Sequence, residues 1–197
     1  MNFDQPPADP VAEVHRWLAE AFQLPMGSPN AMSLATLDAN GAPSVRTVLL
    51  KGFDEHGAVF FTNRLSRKGR ALTAQPRAAL LLFWDQLGRQ IQIEGSVTPT
   101  SDAHSDAYFA TRPRASRIGA WASDQSEPAA DRAALDGRVR AIEARFAGVE
   151  VPRPPHWGGY RVALGSIEFW QADPFRLHDR IVYKRSSRGW NITRLFP

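Results

Sequence analysis

The chain has 197 residues, a formal net charge of +4, 43% hydrophobic residues and no cysteine. This length suits a single domain with a sizeable core, and the lack of cysteine excludes disulfides, thiolate catalysis, iron–sulfur clusters and cysteine-bound zinc. No basic stripe or nucleic-acid motif is present, and scattered arginines suit small phosphate-bearing molecules better than nucleic acid. Without a secretory signal or an apolar run of membrane-spanning length, we expect a cytoplasmic protein with no membrane partner.

The first half of the chain passes from a helical to a strand pattern. Residues 1–9 are polar and proline-containing, which predicts a disordered or flexible arm ahead of a single domain over residues 10–197. Asp9 as N-cap and Pro10 as first helical residue begin a predicted helix that ends near Phe22. Alternating strands and turn residues then predict hairpins, interrupted by capped helices. The predicted strands cover residues 32–38, 44–53, 58–62, 77–84 and 89–98, and the helices cover residues 66–74 and 101–111.

The second half adds helices and a closing set of strands. A short helical turn reaches Trp121, and Ser126 with Pro128 begins a longer predicted helix to about residue 146. A proline-rich crossing over residues 149–156 leads to two strands within residues 157–171 and a last hairpin over residues 179–185 and 190–196. About seven strands in hairpins, interrupted by helices, predict an α+β protein, mainly antiparallel β, built as a closed or split barrel with peripheral helices.

The stretch from Arg176 to Arg180 is the most suggestive of a binding site. In an extended strand, Arg176, His178 and Arg180 share one face, about 7 Å apart. Such a row suits a small anion, such as a phosphate ester or a flavin ring with developing negative charge. The alternative is a solvated strand face of mixed charge.

Ser66, Arg67 and Lys68 begin a predicted helix directly after a strand. Free N–H groups, the helix dipole and these three side chains would make a phosphate cradle, although an ordinary capped helix explains the same pattern. Arg46 and Lys51 lie in one predicted strand, but their odd separation points them to opposite faces. A bulge, two different ligands or a ligand at a subunit boundary would account for this, as would protective charges on an edge strand.

Tyr108, Arg112 and Ser116 recur at spacings of four, which places them on one face of a helix, although Pro113 interrupts it. Phenol, guanidinium and hydroxyl make a second candidate phosphate site; the alternative is a helix end with an aromatic anchor.

Several other polar or aromatic positions are less specific. Gln90 lies on a strand and could both donate to and accept from a pyrimidine-like edge; the alternative, and the more common case, is an exposed polar strand residue. A role as helix N-cap explains Ser126, which follows Gln125, without any ligand. Trp170 lies next to Phe169, and this favours packing in the core over contact with a ligand ring. No histidine or carboxylate cluster has metal-binding spacing, so no metal site is predicted.

Taken together and in order, these stretches resemble one family, the FMN-dependent pyridoxamine 5′-phosphate oxidases, over residues 29–197. Any one stretch is a weak signal, whereas the whole series is highly specific. The stretches are 46–51 (RTVLLK), 61–63 (FTN), 66–68 (SRK), 89–90 (RQ), 108–109 (YF), 112–114 (RPR) with Ser116, 125–126 (QS), 157–160 (WGGY), 168–171 (EFWQ), 176–180 (RLHDR) and 194–197 (RLFP).

The resemblance implies an FMN-binding split barrel and a homodimer with two FMN sites at the subunit interface. The substrate phosphate would be held by Lys51, Tyr108, Arg112 and Ser116. Arg176 and His178 would be the catalytic pair, meeting the pyridine end of the substrate, orienting it and easing proton movement. The implied FMN contacts are Arg46, Lys51, Phe61 through its backbone, Thr62, Arg67, Lys68, Gln90, Gln125, Ser126, Trp170 and Arg180.

The implied reaction oxidises pyridoxamine or pyridoxine 5′-phosphate to pyridoxal 5′-phosphate, with hydride transfer from C4′ to the flavin and release of hydrogen peroxide from dioxygen. The alternatives are a related flavin oxidase acting on another aromatic, such as a phenazine precursor, and a non-catalytic flavin- or pyridoxal-phosphate-binding protein. Two features depart from the family pattern. Phe61 stands where tyrosine is common, and residues 1–9 lack the arginine and tyrosine that cover the substrate in many members.

Overall fold

The computed structural model describes residues 1–197, with ten strands and five α-helices. The strands are β1 (Ala31–Leu37), β2 (Pro43–Leu49), β3 (Gly52–Asp54), β4 (Gly57–Asn63), β5 (Arg77–Trp84), β6 (Arg89–Pro99), β7 (Trp157–Val162), β8 (Ser166–Gln171), β9 (Asp179–Ser186) and β10 (Gly189–Leu195). The helices are α1 (Val11–Phe22), α2 (Arg67–Ala74), α3 (Asp102–Thr111), α4 (Arg114–Ala122) and α5 (Arg132–Arg145). None of these helices combines the length and apolar character needed to cross a membrane.

The strands form one curled antiparallel sheet in the order β10-β9-β8-β6-β5-β1-β2, with β7, β4 and β3 branching from β6. Strand β6 belongs to both halves: residues 89–94 pair with β8, and residues 97–99 pair with β7. The change of partner occurs at Gly95, where an added Cβ would lie only 1.8 Å from the carbonyl oxygen of Ala163. The predicted split barrel of mainly antiparallel strands is therefore confirmed. It has ten strands rather than about seven: nine lie in the ranges predicted above, and the tenth, β3, is too short to show a recognisable alternation.

The core lies inside the curled sheet and is capped by α1. Alternate residues of β5 and β6, among them Leu80, Leu82 and Ile93, are fully buried, as expected when one face of a sheet is covered. Trp17 of α1 is also fully buried and packs edge-on against Phe169, with ring centroids 5.1 Å apart. The long strands that carry the site are therefore fixed by a continuous apolar core.

The N-terminal arm, predicted to be disordered or flexible, packs along the barrel. Phe3 is buried in the main core cluster, and the Tyr183 hydroxyl donates to the carbonyl of Pro7 at 3.0 Å. The N-terminal amino group pairs with buried Glu13 at 3.0 Å. These contacts join residues far apart in the chain, and composition alone does not reveal them.

The predicted strand over residues 44–53 is in fact two strands, β2 and β3. Leu50 and Lys51 leave the β1–β2 ladder: the Leu50 N–H donates to Asn30 at 2.9 Å and the Lys51 N–H to Val59 at 2.8 Å. The odd spacing of Arg46 and Lys51 therefore does not describe one regular strand. Gly52 directly follows the break, but a single glycine within a strand pattern does not distinguish a break from a bulge.

The helix predicted from Ser126 begins later, at Arg132. Its N-cap is Asp131, whose carboxylate accepts from the Ala134 N–H at 2.7 Å. Ser126 has a left-handed φ of 78° and lies in the preceding loop. At the first helix, Pro10 rather than Asp9 is the N-cap residue. Both differences are shifts of a boundary, the least reliable feature of a sequence pattern.

Candidate active site

A cavity of about 870 Å³ opens between the end of β2, strand β4 and helices α3 and α4. We call it the basic cavity, because three cationic side chains line it and no carboxylate does. It brings together eight of the residues singled out in the sequence: Lys51, Phe61, Thr62, Lys68, Tyr108, Arg112, Ser116 and Gln125. Low-dielectric walls lined by one sign of charge attract an anion of opposite sign.

One wall of the basic cavity is the start of α2. Ser66 is the predicted N-cap, and its hydroxyl accepts from the Gly69 N–H. The Lys68 ammonium lies 3.0 Å from Gln125 Oε1 and 3.3 Å from Thr62 Oγ1. Burial and the positive charge of Arg46 lower the pKa of Lys68. A partly buried ammonium among neutral oxygens and other cations is stabilised when an anion binds beside it.

Arg46 and Arg67 stand next to this wall. The Arg46 guanidinium donates to the Leu34 carbonyl at 3.0 Å and to Thr36 Oγ1 at 2.8 Å. Burial and the positive charge of Arg67 lower the pKa of Arg46. Neither arginine joins an ion pair, in contrast to Arg70 one helical turn further on, which pairs with Glu127 at 2.7 Å. Arg46, Arg67 and Lys68 are therefore three cations held together without a counter-charge.

The opposite wall holds Arg112, which follows the last residue of α3. Burial lowers the pKa of its guanidinium, and its Nη1 atom is buried without a hydrogen-bond partner. Trp17 Nε1, Arg64 Nε and Arg117 Nε are also unpartnered, but these residues do not line the basic cavity. A residue that lines a cavity and carries a buried donor without a partner is a candidate for ligand binding.

Tyr108 and Ser116 line the same cavity as Arg112, although the three do not share a helix. Tyr108 lies on α3, Arg112 has extended backbone, and Ser116 lies on α4. Lys51 Nζ is 5.9 Å from the centroid of the Tyr108 ring. The Phe61 ring stacks on Tyr108 with centroids 4.1 Å apart. The predicted interruption at Pro113 is present, and the polar groups on either side of it still line the same cavity.

The remaining flavin candidates lie elsewhere, on the outer face of the sheet. Gln90, Trp170 and Arg180 line a second cavity of about 240 Å³, here called the sheet cleft, together with the C-terminal Pro197. Arg180 Nε donates to Glu168 at 2.8 Å, and this hydrogen bond raises the pKa of the guanidinium. One copy of the chain therefore divides the candidates between two surfaces.

The row predicted for Arg176, His178 and Arg180 is wrong. Residues 174–176 form a short 3-10 turn, and β9 begins only at Asp179. Arg176 is exposed, with a left-handed φ of 65°. His178 Nδ1 accepts from a backbone N–H at 3.2 Å, and its ring lies 4.6 Å from Trp170. Pro174 makes the turn, although the alternation of residues 176–180 is typical of a strand.

These groups have the chemistry that a flavin mononucleotide requires. The cations Arg46, Arg67 and Lys68 would hold the phosphate, since they lack counter-charges. Gln90 and Arg180 offer donors to a ring edge, and Trp170 offers an aromatic face. The residues present therefore fit the cofactor, provided that two copies of the chain bring the basic cavity and the sheet cleft together.

Trp157 and Glu168 are among the lining residues to which no role was assigned from the sequence. Trp157 lines the basic cavity, and Glu168 pairs with Arg180 in the sheet cleft. Both lie in stretches of family resemblance, but their contacts join residues far apart in the chain. No local pattern could have revealed either contact.

Comparison with known families supports the resemblance over nearly the whole chain. The family model described as "Pyridoxamine 5'-phosphate oxidase" matches residues 18–146. A second model, "Pyridoxine 5'-phosphate oxidase C-terminal dimerisation region", matches residues 157–197. The second match supports a homodimer.

Two relatives named pyridoxine/pyridoxamine 5′-phosphate oxidase align over 189 residues. The protein from Rubrobacter xylanophilus is 55% identical, with 96% of this chain and 87% of the relative covered. The protein from Caulobacter vibrioides is 53% identical, covering 96% and 85%.

Solved structures agree with the fold, and one of them contains a ligand that is not a phosphate ester. PhzG from Burkholderia lata, crystallised with tetrahydrophenazine-1-carboxylic acid, superimposes with a TM-score of 0.93 at 37% identity, covering 99% of this chain and 96% of that one. A pyridoxamine 5′-phosphate oxidase-related FMN-binding protein from Nostoc punctiforme gives 0.75 at 18% identity, covering 98% and 100%, and supports the fold alone. The family models and the curated relatives together show that this chain belongs to the pyridoxine/pyridoxamine 5′-phosphate oxidase family of oxidoreductases.

Proposed function

We propose that this protein binds FMN and oxidises pyridoxamine and pyridoxine 5′-phosphate to pyridoxal 5′-phosphate. Dioxygen is the terminal oxidant: the alcohol gives aldehyde and hydrogen peroxide, and the amine, with one water, gives aldehyde, ammonia and hydrogen peroxide. The observation that carries the proposal is the basic cavity, which presents Lys51, Lys68 and Arg112 without any carboxylate. A phosphate ester supplies the missing counter-charge.

The cofactor would lie between two copies of the chain. Arg46, Arg67 and Lys68, with Thr62, Gln125, Ser126 and the backbone of Phe61, would hold its phosphate and ribityl end in one copy. Gln90, Trp170 and Arg180 of the sheet cleft would meet the ring from the second copy. The family match of residues 157–197 to a dimerisation region supports this arrangement, because Trp170 and Arg180 lie in that region.

The substrate phosphate would occupy the other side of the basic cavity. Lys51 and Arg112 neutralise it, and the hydroxyls of Tyr108 and Ser116 donate to its remaining oxygens. Fixing the phosphate fixes the position of C4′ relative to the cofactor, which is the main catalytic contribution that positioning can make. When bound, FMN would accept the hydride from C4′ and pass both electrons to dioxygen.

Arg176 and His178 would act at the pyridine end. The backbone hydrogen bond to His178 Nδ1 keeps the proton of a neutral imidazole on Nε2, which makes that atom a donor. Arg176 adds a charged donor from the adjoining turn. Neither residue is a nucleophile in this scheme: the pair orients the ring and supports proton movement at the reacting substituent.

A second candidate is oxidation of a partly reduced phenazine, because PhzG is 37% identical and superimposes with a TM-score of 0.93. A phenazine carboxylic acid has no phosphate, so it would leave the cluster of Lys51, Arg112, Tyr108 and Ser116 only partly used. The density of phosphate donors in the basic cavity therefore favours the phosphate ester.

The test is to purify the protein, record its absorption spectrum, add FMN if needed, and follow aldehyde and peroxide after adding pyridoxine 5′-phosphate. We expect a flavin spectrum and equal amounts of both products. Unphosphorylated pyridoxine and a dihydrophenazine carboxylic acid serve as comparison substrates. A protein that binds no FMN, or that prefers the phenazine, would refute the proposal.

A further inference from the structure

Trp157 is the first residue of β7 and forms part of the basic cavity, with only 6% of its surface exposed. The centre of the Arg112 guanidinium lies 4.8 Å from the centroid of its ring and 5.5 Å from that of Phe109. Because Arg112 has no ion pair and its Nη1 lacks a hydrogen-bond partner, these aromatic faces are the groups that offset its burial. The indole is the stronger of the two, since tryptophan binds cations better than phenylalanine.

We infer that Trp157 is a positioning residue that holds the Arg112 guanidinium against its ring, in place to bind a ligand in the basic cavity. This inference rests on the proposed function, in which Arg112 binds the substrate phosphate. A guanidinium seated on an aromatic face keeps its edge N–H groups free for a ligand, whereas a carboxylate partner would compete with the phosphate for the same groups. An aromatic face therefore stabilises the cation without occupying the N–H groups that would bind the phosphate.

The backbone of Trp157 is held at both of its polar groups. The backbone N–H donates to the carbonyl of Pro154 at 3.0 Å, and the backbone carbonyl accepts from Arg153 Nη1 at 2.7 Å. Arg153 in turn pairs with Asp102 at 3.0 Å and Asp106 at 2.6 Å, both on α3. The helix that leads to Arg112 and the strand that carries Trp157 are thus tied together at the surface.

The same indole is linked to the second phosphate-binding side chain through Phe61. The Phe61 ring is parallel to Trp157, with centroids 5.4 Å apart and planes 7° apart, and it stacks on Tyr108 at 4.1 Å. Gly159, opposite Phe61 in the ladder, makes room for the ring: an added Cβ would lie 2.7 Å from it. Trp157 and Phe61 therefore fix the spacing between Arg112 and Tyr108.

The test compares binding of pyridoxal 5′-phosphate and of pyridoxal to the FMN-loaded protein by calorimetry. Trp157→Phe keeps a ring with a weaker cation affinity, and Trp157→Leu removes the ring. We expect the preference for the phosphorylated ligand to fall about fivefold in Trp157→Phe and about 30-fold in Trp157→Leu, with pyridoxal binding little changed. Trp121→Phe is the matched control, because Trp121 carries Arg145 at 4.9 Å outside the basic cavity.

Two outcomes in the Trp157 variants would overturn the inference. Equal loss of both ligands in the Trp157 variants would show a general structural role and overturn the inference. An unchanged preference in Trp157→Leu would overturn it as well. A wild-type protein that binds both ligands equally would refute the proposed function, and the inference with it; a wild-type preference that survives in the variants refutes only the inference.

Discussion

The basic cavity and the sheet cleft differ in whether their cationic side chains are paired with a carboxylate. In the basic cavity, Lys51, Lys68 and Arg112 have no acidic partner, and burial lowers the pKa of two of them. In the sheet cleft, Arg180 is paired with Glu168, and its pKa is raised. Cations that lack a counter-charge are suited to a ligand that carries negative charge. An arginine already paired with a carboxylate is suited instead to donate a hydrogen bond in a fixed direction.

This contrast suggests a division of labour across two copies of the chain. In the proposed scheme, the basic cavity would provide binding energy for two phosphates, that of the cofactor and that of the substrate. The sheet cleft provides an amide, an indole and an oriented guanidinium, which suit a ring more than a phosphate. Each surface is incomplete alone, so variants in one should change phosphate affinity and variants near the other should change turnover.

Removing Arg112 should have the largest effect. In Arg112→Met we expect the KM for pyridoxine 5′-phosphate to rise about 300-fold, since truncating one partner of a desolvated charge pair is among the costliest changes. Steady-state peroxide production measures it. Arg138→Met, whose guanidinium pairs with Asp124 at 2.5 Å on the surface, is the control. A rise in KM below about threefold would mean that the phosphate lies elsewhere.

Replacing Arg176 should separate turnover from cofactor binding. We expect Arg176→Leu to lower kcat about 30-fold, the range of a lost charged hydrogen bond, while FMN content stays close to that of the wild type. Flavin absorbance per protein and single-turnover kinetics measure the two quantities. Arg176→Lys, which keeps the charge in the same left-handed turn, should recover part of the rate. Loss of flavin in parallel with activity would contradict a role at the substrate.

Lys68 should show the effect of an unpaired cation on both stability and binding. We expect Lys68→Met to weaken FMN about tenfold, the cost of one charge-assisted contact, yet to raise the melting temperature of the apoprotein, because burying the ammonium opposes folding. Arg70→Met, on the same helix but paired with Glu127, is the control and should leave the FMN affinity unchanged.

The same lysine predicts a pH dependence. Its pKa in the free protein lies below the ordinary lysine value of 10.5, so above that lowered pKa the binding of FMN requires uptake of a proton. FMN affinity should therefore decline with rising pH at a lower pH than an ordinary lysine would give, and Lys68→Met should abolish that decline. Fluorescence titration of FMN across the alkaline range measures it. Identical profiles for both proteins would exclude Lys68 from the phosphate site.

Local patterns predicted the elements well and their breaks poorly. The helices predicted to begin at residues 66 and 101 are present, and Ser66 and Ser101 are their N-caps, since capping depends only on a residue and its neighbours. The break at Lys51 was missed, because it depends on hydrogen bonds to Asn30 and Val59 that no local pattern shows. The alternation of residues 176–180 suggested a strand where Pro174 dictates a turn.

The residues of the candidate site came from motif order, not from geometry. The sequence placed Gln90, Trp170 and Arg180 in one list with Lys68 and the other flavin candidates, whereas one copy of the chain places them on separate surfaces. Pairings such as that of Glu168 with Arg180 carry no signal at their own positions. The sequence alone therefore indicated which residues are candidates for the site, and the structure was needed to show how they are divided between the basic cavity and the sheet cleft.

The smallest effect should come from Glu168, and it tests whether the sheet cleft works by orientation. Its carboxylate holds Arg180 Nε at 2.8 Å with both side chains partly exposed. Glu168→Gln keeps an acceptor oxygen but removes the charge, so we expect FMN affinity to change by no more than about threefold. Glu168→Ala removes the acceptor too, and it should lower kcat further than the glutamine variant while leaving the KM for the phosphate ester unchanged. If both variants instead raised that KM as Arg112→Met does, the two surfaces would share one role, and the contrast between them would be wrong.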